Sequence, residues 1–113
     1  MLIAVALGAF GAHALRSVLS PEMLEVWRTG VTYQMVHGLG LLALSALLPH
    51  QPSPLLPRAG VCLVLGIVLF SGSLYALALT GIRLLGAVTP LGGFAFLAGW
   101  LLVVLAFRGA SRA

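Results

Sequence analysis

Residues 57–80 read PRAGVCLVLGIVLFSGSLYALALT, and no charged side chain falls between Arg58 and Arg83. Crossing about 30 Å of hydrocarbon takes roughly 20 helical residues. This stretch has that length, with Pro57 suited to opening a helix and Gly81 to ending it. The rest of the chain agrees. Of its 113 residues, 61% are hydrophobic and 7% charged, where a soluble domain carries roughly 25% charged. A water-soluble fold would have no polar residues left to cover its surface. A soluble enzyme, a disordered tail and a nucleic-acid-binding module are excluded. The expected fold class is all-α: an integral-membrane, four-transmembrane-helix bundle, one domain over residues 1–113.

Gly81-Ile82-Arg83 then forms a tight turn, followed by a span over residues 84–107 and a tail, 108–113. Pro90 allows two readings: a helix from Leu84 kinked at Pro90, or a helix starting at Thr89-Pro90 as cap and first residue. Either way, carbonyls near Gly86 lose their intrahelical partners. Before the central run, residues 49–56 form a proline-rich linker, and 21–48 form the second span. Ser20 can cap that span, Pro21 fits its first position, and Glu22 and Glu25 suit the positive helix end. Glu25 and Arg28 are three apart and can pair. Its first two turns are expected in the interface, with Trp27 as a belt residue. The first span covers residues 1–19, of which Met1–Leu15 supplies only about 22 Å. Ala12-His13-Ala14 imitates a signal-cleavage site, but no positive segment precedes it, so a retained short helix is expected.

The net charge of +4 comes from six arginines and two glutamates, without Lys or Asp. The arginines stand singly at the edges of apolar runs, as headgroup-facing flanks do. Both termini fall on one side with Arg58, opposite Arg16, Arg28 and Arg83. Arginine counts are level, and cytoplasmic termini are the expectation. Cys62 reads as a small buried apolar residue.

Helices in lipid associate through close packing and hydrogen bonds. Three small-residue stripes offer packing faces: Ala4, Gly8 and Ala12; Gly72, Ala76 and Thr80; Gly92, Ala95 and Gly99. The candidate polar core is His13, Thr29, Thr32, Tyr33, His37, Ser71, Ser73, Tyr75, Thr80 and Thr89, gathered in the bilayer half nearest the first and third loops. Glu25, Thr29, Thr32, Tyr33 and His37 share one stripe of the second helix. An intramembrane histidine is a functional candidate by default, and a His13–His37 pair could relay protons; interhelical hydrogen bonding is the favoured reading of both. Ser71 and Ser73 are expected to bond back to carbonyls of their own helix. One Cys and no Asp exclude a Ser-His-Asp triad, a CxxC motif and a zinc finger. No metal or cofactor is expected.

Gly8-Ala9-Phe10-Gly11-Ala12-His13, Trp27-Arg28-Thr29-Gly30 with Tyr33 and His37, Phe70-Ser71-Gly72-Ser73-Leu74-Tyr75 with Leu79-Thr80, and Thr89-Pro90-Leu91-Gly92-Gly93 with Gly99-Trp100 occur in that order. This set resembles the domain of unknown function 423 family of small membrane proteins, to which a vertebrate mitochondrial transmembrane protein is also similar. The resemblance implies a bacterial inner-membrane protein with four helices, and no particular activity. It also implies residues ahead of the Gly8 motif that lengthen the first helix.

The expected function is non-enzymatic: a polar half-core that binds or passes a small solute, ion or lipid, in a homo-oligomer. The alternative is a scaffold or assembly module whose polar groups serve only helix packing. An intramembrane enzyme using His13 and His37 lacks a nucleophile or metal set. Membrane lipid is the expected surrounding partner.

Overall fold

The computed structural model describes residues 1–112; Ala113 lies outside them. Four helices carry the fold: α1 (Leu2–His13), α2 (Pro21–Leu47), α3 (Leu55–Thr80) and α4 (Thr89–Ala110). No strand occurs among the described residues. α2 and α3 are each long and apolar enough to cross a membrane, as is α4 together with the turn before it. α1, with 12 residues, reaches only about 18 Å.

The helix ends obey local chemistry. Ser20 caps α2, its Oγ accepting from the Met23 N–H at 3.2 Å, with Pro21 in the first position. α3 begins at Leu55, two residues earlier than the sequence reading. The Ser53 hydroxyl oxygen accepts from Leu55 N–H at 3.3 Å, and Pro57 falls in the first turn, where a missing N–H costs nothing. Gly81 ends α3 in the left-handed region at φ 71°, a conformation that favours glycine. Pro90 starts α4 rather than kinking it, with Val88 in the cap position. Arg83–Ala87 winds into a 3-10 turn before it. That turn pairs two carbonyls near Gly86: Ile82 O accepts from Leu85 N–H and Leu85 O from Val88 N–H, both at 3.1 Å. α4 also continues through Arg108 to Ala110, taking up residues assigned to the tail; a cation in the last turn suits the helix dipole. The first span does not run unbroken to residue 19. α1 ends at His13, and Leu15–Ser17 forms a 3-10 turn, because the chain must reverse before Ser20 caps α2.

Within α3, Ile67–Ser71 is a π-helical turn in which the Gly72 N–H donates to Ile67 O, five residues back. Its wider winding turns Phe70 and Ser71 towards α2 and α4.

α3 and α4 make the closest contact. A Cβ on Gly66 would overlap the Phe96 ring, one on Gly92 the backbone of Phe70, and one on Gly99 would sit 2.8 Å from Leu63 Cδ2. Gly92 and Gly99 thus form the packing face that their spacing predicts. The Gly72, Ala76 and Thr80 stripe does not: a Cβ on Gly72 meets nothing, and Thr80 is exposed. α3 packs instead through Ala59, Leu63 and Gly66, because the π turn rotates the residues after it away from that face. On α1, Ala4 and Gly11 are buried and Ala12 is exposed. Gly11 leaves room for Trp27, whose indole N–H donates to Leu7 O at 3.0 Å. Trp27, 2% exposed, is the anchor that holds α1 on α2 and not a belt residue. Leu2, Phe94 and Leu97, among many large apolar side chains, point outward, as a lipid-facing surface requires.

Candidate functional site

The polar residues do not assemble into one half-core. His13, Thr29, Thr32 and Thr80 are exposed. Thr29 and Thr80 donate to carbonyls of their own helices, Glu25 O at 2.9 Å and Ala76 O at 2.6 Å. Glu25 pairs with Arg28 at 2.7 Å on the exposed surface. The stripe of α2 that begins at Glu25 therefore faces outward at its loop end. The buried stripe is Leu24, Trp27, Gly30, Val31, His37, Gly40 and Leu44.

Four other candidates are spent joining helices. Ser71 Oγ donates to Gly30 O at 2.6 Å, across to α2 and not within its own helix. This pairing sets Ser71 level with Gly30, seven residues or about 10 Å from His37 along α2. Ser73 donates to Phe70 O at 2.9 Å. Its proton is thereby used, so the Thr89 hydroxyl donates to Ser73 Oγ, 2.6 Å away. Tyr75 O–H donates to Gln34 Oε1 at 2.6 Å. Gln34 had no place in the candidate polar core.

His37 stands apart. It is 5% exposed, midway along α2. Its ring lies on Phe96, centroids 3.5 Å apart and planes within 9°. Nδ1 is 2.7 Å from Tyr33 O. A carbonyl only accepts, so Nδ1 carries the proton, and Nε2 of the uncharged ring keeps a lone pair. Nε2 has no partner among the described residues, yet no buried side-chain nitrogen or oxygen is left unpaired. The little surface that His37 retains thus includes Nε2.

His37 also borders an open groove on the lipid-facing surface, a cavity of about 420 Å³, within the range of small-molecule sites. Its walls are aromatic: Tyr33 from α2, Phe70 from α3, and Phe94, Phe96 and Trp100 from α4. Tyr33 packs on Phe70 with centroids 4.3 Å apart, and Trp100 lies 6.0 Å from the His37 ring. Sequence reasoning named Tyr33, His37 and Pro90 here and missed the four aromatic residues of α3 and α4. The signal was Trp100: it sits midway along α4, where a belt residue would sit near an end. Among the described residues no three His, Cys, Asp or Glu side chains cluster to hold a metal.

The family model described as "Protein of unknown function (DUF423)" matches residues 7–93. A UPF0382 membrane protein of Staphylococcus saprophyticus is 52% identical over 104 residues, covering 92% of this chain and 86% of its own. The UPF0382 membrane protein YwdK of Bacillus subtilis is 50% identical over 107 residues, with 93% and 86% covered. The UPF0382 inner membrane protein YgdD of Escherichia coli K12 is 47% identical over 103 residues, with 91% and 79% covered. No solved structure matches the chain. Its apolar helices and its ordered motifs thus have one family context: the chain belongs to the DUF423 family of membrane proteins.

Proposed function

We propose that this membrane protein is a non-catalytic binding protein that holds a lipid-soluble small molecule in the cavity beside His37. The observation that carries the reading is the free Nε2 of a nearly buried histidine on an aromatic cavity. A polar group without a partner is expensive where no water can supply one, and an occupant with a donor relieves that cost. Binding is favoured over passage because Ser71, Ser73, Tyr75 and Thr89 are spent between helices and line no polar path.

A second reading, a scaffold or assembly module, draws on the same interhelical bonds. Under it the cavity receives a side chain of a partner, such as a second copy of this chain.

Gly93 borders the cavity, and a Cβ added there meets nothing. Gly93→Phe therefore has room for its Cβ and sets a bulky ring at the border of the groove. In native mass spectrometry from lipid discs, the unmodified protein should carry a bound small molecule that Gly93→Phe lacks. Equal spectra from both proteins would remove the binding reading and leave the scaffold.

A further inference from the structure

We infer that the occupant is a lipid-borne hydroquinone or phenol: a flat, uncharged ring whose hydroxyl donates to His37 Nε2. The inference rests on the ligand-binding reading above and narrows it to one chemistry.

The tautomer decides the direction of the bond. With the Nδ1 proton given to Tyr33 O at 2.7 Å, Nε2 can only accept, so the ligand must donate. A ketone, ether or ester cannot. Elsewhere in the chain each indole and phenol with a buried body has found a partner: Trp27 donates to Leu7 O and Tyr75 to Gln34. Tyr33 O–H and Trp100 N–H, both bordering the cavity, have none among the described residues. Both side chains are exposed, 42% and 39%, and their donors lie at the groove's border for a second ligand oxygen.

The walls decide the shape. Phenyl, phenol and indole rings around one space favour another flat ring, through offset and edge-to-face contacts. An ammonium group would also suit aromatic faces, but a full charge at mid-bilayer depth is costly. A phospholipid is held at the interface by its charged headgroup, whereas an uncharged hydroxylated ring reaches His37. Phe94 and Leu97, 68% and 67% exposed at the cavity rim, leave an apolar way out for a tail.

The test uses the whole protein in lipid discs with 15N-labelled histidine and three probes of equal tail length. They are decylhydroquinone kept reduced, its dimethyl ether, and decylbenzoquinone. Decylhydroquinone should shift the His37 Nε2 resonance upfield, as a nitrogen accepting a hydrogen bond does, and bind about tenfold tighter than the ether. In His37→Phe the preference should vanish; should that variant not fold, the three-probe comparison on the unmodified protein decides alone. If ether and hydroquinone bind alike, or the hydroquinone binds without moving Nε2, the hydroxyl assignment falls while the cavity reading stands. If no probe binds the protein better than it binds Gly93→Phe, the hydroquinone class is overturned, and the mass-spectrometric comparison still judges the cavity itself.

Discussion

The imidazole of His37 rests on the phenyl ring of Phe96, and that ring occupies the space left by the missing side chain of Gly66. Three helices thus meet at one stack: α2 supplies His37, α4 supplies Phe96, and α3 supplies the gap. Gly66→Ala would overlap the ring and push it towards His37. The expected cost is about 1–3 kcal/mol, read as earlier unfolding in mixed detergent micelles, together with weaker ligand retention. A variant that unfolds normally and binds normally would show that the stack does not position the site.

The glycines of α3 and α4 divide into two groups with opposite expectations. Gly92→Ala places a methyl against the backbone of Phe70, which no rotamer change can relieve, so it should be among the most destabilising single changes in the chain. Gly72→Ala and Gly93→Ala meet nothing and should be neutral or stabilising by up to about 1 kcal/mol from helix propensity. The same micelle unfolding assay checks all three.

These glycines also show where sequence reading succeeds and stops. Helix ends were legible at Ser20-Pro21 and Gly81 because capping chemistry is local. Four apolar helices were legible because bilayer thickness fixes span length. Which face turns inward was not, since both the interior and the lipid are apolar and hydropathy has no period to track. Thr29 and Thr32 therefore looked like core residues and face outward, while Trp27 looked like a belt residue and is buried. The π turn at Ile67–Ser71 shifts the face of α3 in a way no spacing rule anticipates. His37 was found because its chemistry is conspicuous in lipid; its aromatic walls come from two distant helices that only folding brings together.

Ser71 ties α3 to α2 through the Gly30 carbonyl at 2.6 Å. Ser71→Ala should cost about 0.6–1.7 kcal/mol, the range for interhelical hydrogen bonds in membranes. Thr32→Ala and His13→Ala, at exposed positions, should change neither stability nor ligand retention. A loss of retention in His13→Ala would revive a role shared with His37.

Trp27 is the hinge pin of α1. Trp27→Phe removes the indole N–H bond to Leu7 O and part of the contact at Gly11. Hydrogen exchange should rise across Leu2–His13, rise only locally around Tyr75, whose ring packs on Trp27 with centroids 4.6 Å apart, and stay unchanged in α4. Uniformly faster exchange would mean that α1 is coupled to the whole structure and not to α2 alone.

The most direct test of the account is an experimental structure in discs of native membrane lipid. It should show continuous density filling the cavity, with a polar atom within hydrogen-bond distance of His37 Nε2. A cavity closed by collapse of Phe94 and Trp100, or filled by a side chain from a neighbouring copy, would contradict it.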